Sequence, residues 1–105
     1  MIEEDFFVLL DRLRDMPEGL IGIRSLRRMA CFMEGWCYAH KNENVNRRLW
    51  DFNKWIHEKF GFKNSSAWWP DILSFFYGEE QKGFEEFWRL YDEFNEELKK
   101  NGALV

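Results

Sequence analysis

The residues that could do metal or nucleophilic chemistry in this 105-residue chain are few. The only histidines are His40 and His57, and the only cysteines are Cys31 and Cys37. Glu34, Cys37 and His40 fall at i, i+3 and i+6, which brings three donors near one another on a helix. A zinc site takes four protein ligands, or three with one open position. Cys37 lies on the apolar face of its segment, so the spacing predicts a buried structural cysteine rather than a ligand. Two histidines on neighbouring segments assemble no Ser/His/Asp or Cys/His triad. Adjacent Glu-Glu pairs on a helix are solvated carboxylates more than an acid–base couple. The expectation is therefore no catalytic residue, no metal, no cofactor and no enzymatic activity.

A second candidate is the stretch Pro17-Glu-Gly-Leu-Ile-Gly-Ile-Arg-Ser-Leu26. Two glycines three apart, then an arginine and a serine at a helix start, invite comparison with phosphate-binding loops. The P-loop pattern needs G-x-x-x-x-G-K-[S/T] after a strand, and neither the lysine nor a strand is present here. A Gly-x-x-Gly clamp on a nucleic-acid backbone needs its surrounding strands and basic loop residues. Leu20 and Ile21 between the glycines read instead as apolar plugs, so the stretch is expected to be a turn with Ser25 capping the helix that follows.

Charge gives the third candidate. The net charge is −4, yet residues 12–59 hold ten Lys/Arg against six Asp/Glu, while residues 79–97 hold eight Asp/Glu against two cations. Arg24, Arg27, Arg28, Arg47 and Arg48 could contact phosphate, which makes a nucleic-acid-associated adaptor the alternative functional reading. Against it, the pI is about 5.2. On the C-terminal helix, Glu86, Glu93, Glu96 and Glu97 fall opposite the apolar stripe at ~100° per residue, with Arg89 among them. Such a stripe suits steering toward a basic partner. Trp50 lies ~120° from the apolar stripe of its helix. It is the candidate apolar anchor of a protein interface, since Trp is enriched at interface hot spots. These five residues, Glu86, Glu93, Glu96, Glu97 and Trp50, form the expected partner-binding set.

Positioning these residues requires helices. No alternating apolar/polar run is present, and five segments fit a 3.6-residue period. The first runs over 2–14, with Phe6, Leu9, Leu10 and Leu13 as its stripe. The second runs over 26–41 with Leu26, Met29, Met33 and Trp36 on one face, and Gly35 inside it suggests a close helix–helix approach. The third, over 45–60, repeats Val45, Leu49, Phe52, Ile56 and Phe60, with Asn44 as its expected cap and Gly61 as its stop. The fourth, over 67–77, has Ser65 or Ser66 before it, Pro70 in its first turn and Gly78 after it. The fifth starts at Glu79 or Gly83 and runs to Lys100. Short connections make sequential helices neighbours, so the fold class is all-α, one compact domain over residues 1–105.

Eleven Phe, six Trp and three Tyr supply the core. No apolar run approaches the ~20 residues of a membrane span. The acidic Met-Ile-Glu-Glu-Asp start differs from a secretory leader, which begins basic. Cys31 and Cys37 would point ~600° apart around one helix, so a disulfide between them is not expected. Cytoplasmic placement, with no membrane partner, follows as the expectation.

The residues Gly22-Ile-Arg-Ser25-Leu26-Arg-Arg-Met29-Ala-Cys-Phe32-Met33-Glu-Gly35-Trp36 resemble a family of small bacterial all-α proteins with the motif R-P-x-M-Y-[L/I]-G-x-x-S-L-x-x-L-x-x-F-[L/I]-x-G-Y. Pro17, Gly22, Ser25, Leu26, Phe32 and Gly35 match in register, and Met29, Met33 and Trp36 are like-for-like. Phe52, Trp55 and Ile56, then Trp69 and Ile72, then Phe84, Phe87, Leu90 and Phe94 are similar to its later helices. Met16, Gly19 and Leu20 depart from its Arg, Met and Tyr. The resemblance implies an immunity protein of a polymorphic or contact-dependent inhibition system. It further implies that the partner is a cognate toxin domain, a basic nuclease, whose active site is blocked without direct contact to nucleic acid.

Overall fold

The computed structural model describes residues 2–62 and 64–102, which form six helices with no strand among them. They are α1 (Ile2–Asp15), α2 (Glu18–Ile21), α3 (Leu26–His40), α4 (Glu43–Phe60), α5 (Trp69–Tyr77) and α6 (Glu80–Lys100). The sequence predicts five of these. The sixth, α2, is the four-residue turn between Pro17 and Gly22. Pro17 already holds helical dihedrals, and its carbonyl accepts from the N–H groups of Leu20 (3.0 Å) and Ile21 (2.8 Å). One turn is too short to show a period. Gly22 ends it at φ 88°, where a Cβ would stand 2.9 Å from Arg28 Nη1.

Ser25 caps α3 as expected, its Oγ accepting from Arg28 N at 3.1 Å. The same Oγ donates to Glu80 Oε1 (2.8 Å), which also accepts from Arg27 N (2.7 Å). The first turn of α3 is thus closed by a carboxylate at the start of α6. The cap of α4 is Asn42, not Asn44: Asn42 has extended backbone and its Oδ1 accepts from Val45 N at 3.1 Å. That is the geometry from an N-cap side chain to the third helical N–H. Ser65 closes a turn onto Ala67 N at 3.1 Å, so α5 begins two residues later than predicted, with Pro70 in its first turn.

α6 packs against α3, α5 and α4. Its buried stripe, Phe84, Phe87, Trp88, Leu90, Tyr91 and Phe94, meets Leu26 and Met29 of α3, Phe52 and Ile56 of α4, and Trp69, Ile72 and Leu73 of α5 in one core. Phe52 is its hub, with Phe94, Trp69 and Phe87 at 5.3, 5.5 and 5.5 Å in edge-to-face geometry. Gly35 does not mark a helix contact. It is exposed, and a Cβ there would meet nothing within 4 Å. The close approach is at Gly83, where a Cβ would stand 2.8 Å from Leu26 Cδ2 and 3.2 Å from Leu26 Cβ. Glycine at one turn into α6 lets the start of α3 lie directly on it.

Candidate functional site

Positions 30, 33, 34 and 37 make one face of α3, and positions 46, 49 and 50 make one face of α4, each at i, i+3, i+4 spacing. The two faces and the chain entering α5 enclose a groove of about 560 Å³, lined by these residues with Arg47, Trp68 and Trp69. Its lining is overwhelmingly apolar. Met33, Leu49 and Trp69 form a buried floor. Trp50 stands at the wall, 55% exposed, its ring 5.7 Å from that of Trp68. Glu34 and Arg47 supply one charge of each sign at the edge. A concave apolar site with few polar groups is the usual form of a binding pocket.

Cys37 belongs to this groove rather than to a metal centre. Burial, with Glu34 adding repulsion, pushes its thiol above the ordinary range, so it stays protonated. Protonated thiol is a poor nucleophile and a poor ligand. His40 stacks on Trp36 at 4.2 Å instead of joining Glu34 and Cys37. Among the described residues no three His, Cys, Asp or Glu side chains are placed to hold a metal. Cys31 and Cys37 are both free.

Trp50 and His57 share a helix face in the sequence, and the structure gives them different tasks. His57 is half-buried, with Nδ1 2.8 Å from the Phe62 carbonyl and Nε2 2.7 Å from the Ala67 carbonyl. It ties down the segment leading to α5, which positions Trp68 beside Trp50. A ring carrying one proton can donate to only one of the two carbonyls.

The acidic stripe has more cations about it than Arg89. Glu86 pairs with Arg89 (2.8 Å) and Lys82 (3.9 Å), and its carboxyl is held below the usual range chiefly by the Arg89 hydrogen bond. Glu93 pairs with Lys59 of α4 at 2.7 Å, and Glu96 with Lys99 at 3.7 Å. Glu97 accepts from Trp55 Nε1 at 2.9 Å. Trp55 and Lys59 lie ~140° and ~180° around α4 from Trp50. Glu93 and Glu97 therefore dock on the side of α4 away from the groove, and the structure does not bring them together with Trp50.

This pairing gives the stripe a part in stability as well. Reversing Glu86, Glu93 and Glu97 to Lys should lower stability by ~1–2 kcal/mol, since exposed ion pairs are each worth ~0.2–1 kcal/mol and like charges replace them. Urea denaturation reads this directly, and an unmoved midpoint would show that the pairs add nothing. Because Glu86 has a depressed pKa, its share is present at neutral pH and is lost as pH falls through that lowered value.

Three of the five arginines of the alternative reading are engaged within the fold. Arg24 pairs with Glu18 (3.1 Å), Arg27 with Asp71 (2.8 Å), and Arg28 Nη1 donates to the Ile21 carbonyl (2.9 Å). Arg48 lies over the Phe7 ring at 5.4 Å. Sequence reading missed the roles of Met33, Glu34, Cys37 and Trp68 at the groove. The available signal was the Trp68-Trp69-Pro70 triplet, in which one indole must face outward when its neighbour is buried. Phe75 and Phe76, 74% and 47% exposed, form a separate aromatic patch with Phe62. No described helix is long and apolar enough to cross a membrane. Compared with known proteins, the chain matches no family model, no curated protein and no solved structure.

Proposed function

We propose that this protein is a non-enzymatic immunity protein that binds a cognate bacterial toxin domain and covers its active site. The observation behind this reading is Trp50, half exposed beside Trp68 on the wall of a large apolar groove. A rigid indole held at an apolar concavity is the form an interface hot spot takes. The motif over residues 17–36 and its resemblance to small bacterial immunity proteins point to the kind of partner. The excess of carboxylates over residues 79–97 speeds the approach of a basic nuclease without itself forming the contact. The engagement of Arg24, Arg27 and Arg28 within the fold takes three of the five arginines from the nucleic-acid adaptor reading and leaves it Arg47 and Arg48.

The test needs the partner that this reading expects, a toxin domain encoded beside this chain. Co-expression should restore growth to cells making that domain, and the purified proteins should form a complex that inhibits it. Trp50→Ala should weaken the complex by at least ~30-fold, a loss of ~2 kcal/mol. Its melting temperature should change little, because the indole is half exposed and lies outside the buried core. Absence of rescue by the unaltered chain would overturn the immunity reading. Rescue with full affinity in Trp50→Ala would place the interface elsewhere.

A further inference from the structure

A second cavity lies on the far side of α4 from the groove, between α1, α4 and α6, and it shares no lining residue with it. We propose that this cavity binds a small oxyanion of the phosphate type. Its volume is about 270 Å³, room for a phosphate or a small phosphate ester and little more. The proposal does not depend on the immunity reading.

Three cations reach the cavity, Arg14, Arg48 and Lys99, against one carboxylate, Asp11. That excess of positive charge is out of character for a chain of net charge −4. The three cations are not equally free. Arg14 is held by Asp92, with Nη1 2.9 Å from Oδ1, and lies over the Trp88 ring at 5.4 Å. Lys99 has only a loose pairing to Glu96 at 3.7 Å and is 61% exposed, so it can turn inward. Arg48 rests on the Phe7 ring and forms no ion pair with a described carboxylate. A guanidinium that no described carboxylate neutralises, and whose side-chain hydrogen-bond partner is the Tyr91 hydroxyl, can still grip an oxyanion through two parallel bonds.

The neutral groups agree with the charges. Trp88 Nε1 and Asn95 Oδ1 are buried with no hydrogen-bond partner among the described residues, and both side chains wall this cavity. Trp88 is 7% exposed. An indole N–H can only donate, and a buried donor without an acceptor calls for a specific explanation. Asn95 Oδ1 as placed is an acceptor, and the amide offers its NH₂ to the cavity only when turned over. Burial pushes the Tyr91 hydroxyl up, against the opposing pull of Asn95 and Arg48, so it too remains a donor. Donors thus crowd the cavity from α4 and α6, and an acceptor-rich anion is the complementary ligand. A cation would meet Arg48 and Lys99, and a neutral apolar ligand would leave the indole N–H unanswered.

The readout is the Trp88 indole resonance, one of six expected in a nitrogen–proton correlation spectrum of this six-tryptophan chain. Inorganic phosphate and glycerol 3-phosphate are titrated separately, each against sodium chloride at matched ionic strength. Either phosphate should move the Trp88 resonance saturably, and the tighter of the two tells whether the group is taken free or at the end of a small molecule. Arg48→Gln should weaken binding by at least ~10-fold through loss of a charge-assisted pair. Asp11→Asn, which removes the one opposing carboxylate, should tighten it severalfold. Both positions lie at the surface edge of the fold, so both variants should keep the native spectrum. A chloride titration with the same effect, a resonance that neither phosphate moves, or undiminished binding in Arg48→Gln would each overturn the site.

Discussion

Phe52→Ala is expected to remove ~3–5 kcal/mol of stability, the range for truncating a fully buried aromatic ring. Phe52 is 0% exposed and touches the rings of Trp69, Phe87, Tyr91 and Phe94 edge-on, with Trp55 stacked at 6.1 Å. Each such pair adds ~0.5–1.5 kcal/mol beyond the area it buries. The neighbours come from α4, α5 and α6, so no single helix can shift to fill the space. Small domains hold ~5–15 kcal/mol in total, and the variant should be close to unfolding at body temperature. Urea denaturation followed by tryptophan fluorescence measures the loss. Phe52→Leu, which keeps more of the volume, should cost visibly less. A cost below ~1 kcal/mol for the alanine variant would mean that the ring cluster is not the centre of the core.

Gly83→Ala should destabilise, against the helix-propensity rule. On propensity alone alanine gains ~0.8–1 kcal/mol over glycine inside a helix. At this position the added Cβ would lie 2.8 Å from Leu26 Cδ2 and 3.2 Å from Leu26 Cβ. The Cδ2 can rotate away only into a packed core, and the Cβ cannot move without the backbone of α3. Overpacking of this kind costs ~1–3 kcal/mol, which exceeds the propensity gain. Gly35→Ala is the matched control. It lies on an exposed helix face with nothing within 4 Å, so the same substitution there should stabilise by ~0.5–1 kcal/mol. Thermal melts of the two variants should move in opposite directions. Movement in the same direction would deny that α3 and α6 meet through Gly83.

Those two glycines also show where sequence reading stops. A glycine inside a helical pattern costs propensity and so suggests a close helix–helix approach, which is the expectation at Gly35. Whether another helix lies against a position depends on tertiary arrangement, which periodicity does not encode. The helices themselves were legible because their apolar stripes persist for several turns and glycines stop two of them, at Gly61 and Gly78. The single turn of α2 was invisible for the opposite reason. Trp50 was legible as a residue off the buried stripe of α4. The groove beside it was not, because its other wall comes from Met33, Glu34 and Cys37 on a different helix. The partners of the α6 glutamates were only partly legible, because the sequence pattern shows only neighbours along the same helix. Lys59 and Trp55, which engage Glu93 and Glu97, are 34 and 42 residues away in the chain.

The Glu80 carboxylate at the head of α3 has a bearing on how the chain folds. It closes the first turn of a helix that begins 55 residues earlier. A growing or refolding chain can therefore form the body of α3 from local contacts, but cannot finish its beginning until α6 has been made and has docked. The loop-closure cost falls on one late event that seats Gly83 on Leu26, caps α3 and completes the ring cluster together. Opening runs the same way in reverse. α3 and α6, distant in sequence, fray and reform as one cooperative unit, while the single turn of α2 can loosen on its own.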